Sequence, residues 1–222
     1  MNRRRSRRDP DDARRPRQPL VTVREEVGAE PALAWREDLP APRVALRERW
    51  AATPPARRWG AALLAAVLSG PFAVVAAFYE NSTAGVGLIL LVVVFGPLVE
   101  ESVKGAGALV LAEFRPWLVP AAWVLPAVTV VAGLEFAAIE NWWYLSVLIE
   151  EPSPAVVRWR WVAGPIVHGT CSLAVGLGTA RMWRRAWRGE RVPDFADARA
   201  FVVGAAALHG GFNLVALILG PS

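Results

Sequence analysis

Seven ionisable side chains lie in stretches of sequence that are otherwise long and apolar. They are Glu100, Glu101, Lys104, Glu135, Glu140, His168 and His209. Both histidines of the chain belong to this set, and so does its only lysine, because the other 24 basic residues are all arginine. An ionisable group costs about 2.5–3.5 kcal/mol at the centre of a membrane-spanning helix on insertion scales. These residues are therefore the candidates for a site that performs chemistry.

The spacing of the first three residues suits acid–base chemistry. Glu100 and Glu101 precede Lys104 by four and three residues, so both carboxylates can pair with the ammonium on one helix face. Two adjacent carboxylates do not both ionise cheaply in a low dielectric, and a nearby cation keeps one of them charged. A compact ammonium, where the chain elsewhere uses only guanidinium groups, indicates a specific need for lysine here. The pattern predicts a general base.

Two further pairs show helical spacing. Phe136 and Glu140 are separated by four residues, and Asn141 follows. His209 and Asn213 have the same separation, which places the imidazole and the amide on one helix face. With His168, four apolar segments each contribute a polar cluster. We expect these clusters to converge on one intramembrane site.

The apolar segments that carry these residues predict the architecture. Five candidate spans cover residues 60–78, 85–112, 119–149, 162–182 and 201–219. A helix needs about 20 residues to cross a bilayer, and these runs are too long for strands. The sequence therefore predicts an all-α fold, a polytopic transmembrane helical bundle of about five spans. The second and third runs exceed the required length, so they must tilt, break or extend, and Pro120 and Pro126 favour a broken start to the third.

The composition separates a basic tail from the membrane block. The chain is 54% hydrophobic, with a mean hydropathy of +0.30, yet its first 58 residues hold 15 of its 24 arginines. Residues 1–56 are predicted to be a disordered basic cytoplasmic tail and residues 57–222 a transmembrane domain. Within the tail, residues 44–50 form either a linker or a helix on anionic lipid. Cys171 is the only cysteine, which excludes a disulfide framework.

The arginines also predict the orientation. Most arginines that flank the spans occur in alternate loops, so they share one side of the membrane. They are Arg57 and Arg58, Arg115, and the arginines within 181–191. By the positive-inside rule this side is the cytoplasm, with the N-terminus inside and the C-terminus outside. The net charge of +5 is thus a membrane signature, and we expect no nucleic-acid partner.

The motifs occur in a characteristic order. Glu-Glu-x-x-Lys is followed by Phe136-x-x-x-Glu140-Asn141, then by Arg160 and His168, and then by His209-x-x-x-Asn213. This order resembles the PrsW family of intramembrane proteases, polytopic bacterial enzymes distantly related to the CAAX prenyl endopeptidases. The resemblance covers roughly residues 85–215. The family's functional residues match here as Glu100, Glu101, Glu140, His168 and His209, and Asn213 stands where members carry Asp or Asn.

The resemblance implies a multi-pass protease domain in a bacterial cell membrane, which cleaves a membrane-anchored protein, often an anti-sigma factor in stress signalling. The expected base is Glu101, assisted by Glu100 and tuned by Lys104, and Asn213 is expected to donate to the developing oxyanion. Glu140, His168 and His209 are either ligands of a catalytic Zn²⁺ or direct polarisers of the carbonyl. No two of these three show the spacing of a local zinc motif, so a metal-free mechanism stays open.

Two other classes of function compete with proteolysis. Chains of Glu and His also build proton relays, so a proton-coupled transporter or channel is one alternative. Such transporters usually show inverted repeats, and none is evident in five spans. The other alternative is a non-catalytic membrane partner whose basic tail contacts anionic lipid or an acidic protein. A scaffold has no reason to keep both histidines and the only lysine in the bilayer.

Overall fold

The computed structural model describes residues 42–83 and 87–220, and within these ranges it contains helices and no strand. The longer helices are α1 (Pro42–Ala52), α2 (Pro55–Thr83), α3 (Gly96–Phe114), α4 (Val124–Trp143), α5 (Pro154–Arg188) and α6 (Arg199–Leu219). The predicted all-α fold class is confirmed.

The helices α2, α4, α5 and α6 are long and apolar enough to cross a membrane. Helix α3 is more highly charged because it carries Glu100, Glu101 and Lys104, and it packs against α2, α4, α5 and α6. Large apolar side chains cover the outside of the bundle, among them Leu64 and Ile166. The chain is therefore a multi-pass membrane protein, in which α2 to α6 correspond to the five predicted spans.

The two longest predicted spans are both irregular, as their length required. A helical turn at Leu88–Leu90 and a π-helix at Leu91–Phe95 precede α3. A 3₁₀ turn at Pro116–Leu118 follows α3, and α4 becomes regular only at Val124, which confirms the predicted broken start. A second π-helix, Tyr144–Leu148, extends α4. Such π segments are frequent at functional sites.

Helix α1 corrects the prediction for the tail. It lies within residues 1–56, which were expected to be disordered, yet it is a helix that packs on the end of the bundle. Leu46 is buried, and Trp50 donates from its indole nitrogen to the carbonyl of Val119 at 3.0 Å. These two residues are four apart and form a short apolar stripe that is sufficient to dock one helix. Residues 1–41 lie outside the described part of the chain, and the lipid contact of 44–50 stays a prediction.

Close packing of α4 on α5 positions the centre of the bundle. A Cβ atom on Gly133 would lie 2.8 Å from the carbonyl oxygen of His168, so only glycine permits this approach. Ser153 caps the N-terminus of α5, where its hydroxyl accepts from the Val156 amide, and Gly189 caps the C-terminus with a φ of +81°. His168 lies well inside α5, away from both ends, and its side chain is buried.

Candidate active site

A buried ion pair on α3 lies at the centre of the site. The Nζ atom of Lys104 is 2.5 Å from Oε1 of Glu101 and 4.0 Å from Oε2 of Glu100. The side chains of Glu101 and Lys104 are completely buried, whereas that of Glu100 is 12% exposed. The predicted pairing of both carboxylates with the only lysine is therefore present in the structure, with Glu101 as the close partner.

His168 links this pair to α4. Its Nδ1 atom is 3.0 Å from Nζ of Lys104, and its Nε2 atom is 3.2 Å from Oε2 of Glu140. An ammonium group has only donors, so Nδ1 must accept, and Nε2 then carries the proton and donates to Glu140. Phe136 packs edge-on against the ring, with centroids 4.9 Å apart. The contacts thus select one tautomer of His168.

His209 on α6 contacts the same oxygen of Glu101 as Lys104 does. Its Nδ1 atom is 2.9 Å from Oε1 of Glu101 and 3.8 Å from Oε2 of Glu100. Because a carboxylate accepts, Nδ1 donates and Nε2 keeps its lone pair. The rings of His168 and His209 meet edge to face, with centroids 4.7 Å apart. Polar residues from α3, α4, α5 and α6 therefore converge, as expected from the sequence.

Glu135, which also lies in an apolar stretch of the sequence, is outside this cluster. Its side chain faces α2, where a Cβ atom on Gly70 would come within 2.7 Å of the Glu135 Cβ. Glu135 is a candidate by its place in an apolar stretch but does not match a functional residue of the PrsW family, and none of the described contacts of the cluster involves it. This carboxylate provides a chemically matched control for the clustered ones.

Asn213 has a structural contact that the sequence does not predict. Its Nδ2 atom donates to the carbonyl of Val92 at 2.9 Å, and its expected donation to an oxyanion stays a prediction. Val92 belongs to the π-helix before α3, where the altered hydrogen-bond pattern makes a carbonyl accessible to a side chain. One turn after His209, Asn213 thus fixes α6 against the segment that leads into α3.

The three side chains that the structure gathers as a candidate metal site differ from the predicted three by one carboxylate. Glu100, His168 and His209 each offer one ligand atom, and these three atoms lie within 4.8 Å of one another. Glu100 thus takes the place of Glu140, which is the carboxylate expected from the sequence. Glu140 contacts Nε2 of His168 and lies 3.7 Å from a guanidinium nitrogen of Arg160. Helical spacing shows which residues share a face, but not which of two carboxylates faces two imidazoles from other helices.

The donor set fits a metal ion. Two imidazoles and one carboxylate are the ligand types of an open catalytic zinc site, in which water takes the fourth position. Beside them, Oε2 of Glu101 is buried and has no hydrogen-bond partner among the described residues. A polar atom of this kind is suited to accept a proton from a water molecule.

Two residues that contact the cluster are not recognisable as site residues from the motifs alone. The guanidinium of Arg160 lies over the ring of Tyr144, at 3.4 Å from its centroid. In the sequence, Arg160 stands eight residues before His168 in one of the motifs, and Tyr144 stands in none of them. The four-residue separation of Tyr144 from Glu140 is the available signal, since it places both on one face of α4 and its extension.

Comparison with known proteins gives one match. Residues 53–222 match the model of a family described as PrsW family intramembrane metalloprotease. No curated protein and no solved structure matches the chain. The matched residues comprise most of the chain and include α2 to α6 with the whole cluster.

Proposed function

The chain belongs to the PrsW family of intramembrane metalloproteases, and from this premise we propose that the α3–α6 cluster hydrolyses a peptide bond of a membrane-anchored protein by activating water at Glu101. Membership makes the chain an intramembrane peptidase. The observation that carries the assignment to Glu101 is its buried carboxylate, which is held at one oxygen and has no described hydrogen-bond partner at the other.

Glu101 is oriented for the role of general base. Lys104 and His209 both donate to its Oε1 atom, and the ammonium of Lys104 balances its negative charge. Its Oε2 atom is left to accept a proton from water as the water attacks the substrate carbonyl. Lys104 in turn hydrogen-bonds His168, so that the donors around Glu101 are held by residues of other helices.

A metal ion would be held by Glu100, His168 and His209, and when bound it would polarise the substrate carbonyl and acidify a water molecule. Glu140 then acts from outside the ligand set by accepting from Nε2 of His168, as carboxylates commonly do behind metal-binding histidines. A metal-free mechanism is the second candidate. The observation that favours it is the 3.0 Å contact of the Lys104 ammonium with Nδ1 of His168, which occupies a nitrogen that a metal would need.

The depth of the site suggests where the substrate is cut. His168 lies nearer to Pro154 than to Arg188 along α5, and Glu140 lies one turn before the end of α4. With the arginine-rich loops in the cytoplasm, the cluster falls in the outer half of a bacterial membrane. We propose a bond in the outer half of a transmembrane segment as the target, with an anti-sigma factor as the substrate class that the family resemblance favours.

The proposal can be tested without knowing the substrate. New protein N-termini are compared between membranes of cells that express the wild type and membranes of cells that express Glu101→Gln. Termini inside or beside transmembrane segments should appear with the wild type and be lost with Glu101→Gln, because loss of a general base costs about 10²–10⁴-fold in rate. The uncleaved substrate should also co-purify with this variant. Glu135→Gln is the matched control and should cleave normally, since this carboxylate faces Gly70.

Equal termini from Glu101→Gln and the wild type would refute the assignment. An equal loss in Glu135→Gln would attribute the effect to membrane carboxylates in general. Such a result would mean that the loss of cleavage does not identify Glu101 as the general base.

A further inference from the structure

Arg58 is a buried arginine in the first turn of α2, far from the α3–α6 cluster in sequence and in contacts. It is only 9% exposed, and its guanidinium lies over the ring of Trp50, at 3.7 Å from the centroid. Its Nε and Nη1 atoms are buried and have no hydrogen-bond partner among the described residues. A guanidinium is always charged, and burying a charge is costly unless an anion accepts from it. Two donors of Arg58 are therefore left for an anion that the described residues do not supply.

Two more arginines lie at the same corner of the bundle. The guanidinium carbons of Arg49 and Arg115 lie 5.0 and 5.5 Å from the centroid of the Trp117 ring. Trp117 belongs to the 3₁₀ turn Pro116–Leu118, which packs on both α1 and α2. We call Arg49, Arg58 and Arg115 the arginine corner.

The arginines after α5 are neutralised by the chain itself, in contrast to the arginine corner. Arg185, Arg188 and Arg191 each lie within 3.6 Å of a carboxylate oxygen of Glu190 or Asp197. Among the described residues, no carboxylate forms an ion pair with any member of the arginine corner. The positive charge of this corner is therefore available to an anion from outside the chain.

The neighbours of Arg58 place it at the depth of the lipid headgroups. The rings of Trp59 and Trp123 lie with their centroids 5.7 Å apart, and they are 49% and 64% exposed. One turn further along α2, Leu63 and Leu64 are exposed as well. Tryptophan favours the interface between membrane and water, and exposed leucines favour the hydrocarbon. The most abundant anions at the level of Arg58 are therefore the phosphate groups of lipids.

We propose that the arginine corner binds the phosphate group of an anionic phospholipid, with Arg58 as the central donor. The planar fork of a guanidinium matches the geometry of a phosphate, and basic pockets between membrane helices bind phosphate-containing headgroups. A headgroup with a net negative charge is favoured because three arginines surround it without a carboxylate. Helix α1 packs on the 3₁₀ turn and on α5, and the stacking of Arg58 on Trp50 is the described side-chain contact between α1 and α2. The phosphate enters between these two helices and displaces part of the cover over Nε and Nη1.

Unfolding of the purified full-length protein in an uncharged detergent tests the proposal. A lipid that binds only the folded protein raises the unfolding temperature in proportion to its occupancy. The probes are phosphatidylglycerol, phosphatidylcholine with the same acyl chains, and inorganic phosphate. The measurement is made at about 1 M salt, which screens exposed charges but screens buried ones much less. The test variant is Arg58→Gln, and the matched control is Arg57→Gln, which removes the same charge from an exposed position of the same turn.

Phosphatidylglycerol should raise the unfolding temperature of the wild type and of Arg57→Gln at the same lipid concentrations. Arg58→Gln should need about 10–100-fold more lipid for the same rise, which corresponds to the loss of charge-assisted hydrogen bonds. Phosphatidylcholine and inorganic phosphate should produce little change in any of the three proteins.

The absence of a rise in the wild type would overturn the proposal. Equal effects of Arg57→Gln and Arg58→Gln would overturn it too, because they would indicate general attraction to a charged surface. A rise of the same size with phosphatidylcholine would refute the need for a net negative headgroup, and one with inorganic phosphate would refute a lipid as the source.

A second pair of variants decides the question if Arg58→Gln does not fold. Arg49→Gln combined with Arg115→Gln changes two exposed side chains of the arginine corner, and Arg57→Gln combined with Arg188→Gln removes the same charge outside it. Only the first combination should weaken the response to phosphatidylglycerol, and equal responses would overturn the proposal. The measurement needs no cleavage, so its outcome is independent of the proposed function.

Discussion

Removal of Lys104 should destabilise the bundle through the charge that is left behind. In Lys104→Met, the completely buried carboxylate of Glu101 keeps His209 as a donor but loses its ammonium partner at 2.5 Å. Removing one member of a buried ion pair typically costs about 3–5 kcal/mol. At about 1.4 kcal/mol per factor of ten, the ratio of folded to unfolded protein should fall by roughly two to three and a half powers of ten.

A double-mutant cycle separates this charge effect from lost packing. Glu101→Gln combined with Lys104→Met leaves two neutral side chains of similar volume, and replacing both members of a buried pair is often neutral or stabilising. The double variant should therefore recover most of the stability that Lys104→Met loses. The coupling between the two positions should be about 3 kcal/mol, at the upper end of the range of about 0.5–3 kcal/mol for residues in direct contact.

Unfolding of the purified protein in mixed micelles with a denaturing detergent measures these free energies. Ser102→Ala is the control, because it lies in the same turn of α3 and its hydroxyl donates only to the Leu98 carbonyl among the described contacts. It should change the free energy of unfolding by less than about 0.5 kcal/mol. If the losses of the two single variants simply add in the double variant, the ion pair does not determine the stability of the site.

Two other expectations concern the metal and the topology. Purified protein should contain stoichiometric zinc that is lost in His168→Ala and Glu100→Gln but largely kept in Glu140→Gln, as measured by elemental analysis; full activity after strict chelation would instead support the metal-free mechanism. A reporter that is active only outside the cytoplasm should be active when fused after Ser222 and silent when fused within residues 184–191, and the reverse pattern would contradict five spans with the arginine loops inside.

The sequence is sufficient to predict the helices and the convergence of their polar residues. Apolar runs of membrane length must form helices, because no other open structure satisfies its backbone in lipid. Each ionisable group in such a run must face inward, away from the hydrocarbon. The inward orientation of Glu101, Lys104, His168 and His209 therefore follows from composition and spacing alone.

The pairings between helices do not follow from the sequence, because they depend on how each helix is rotated and shifted along its neighbours. Glu100 and Glu140 are both carboxylates that face inward, and only the packed bundle shows that Glu100 meets both histidines while Glu140 meets one. The contact of Asn213 depends on the π-helix at Leu91–Phe95, and its sequence contains no signal that distinguishes it from an α-helix.

The only lysine also defines where amine-directed reagents can react with a side chain. Lys104 is 1% exposed, and the chain has no other side-chain amine. Amine-directed acylating reagents and crosslinkers therefore find no amine side chain on the surface of the folded protein. Modification of Lys104 requires the helices around it to separate, so its rate, followed by mass spectrometry, reports how often the interior of the bundle opens to water.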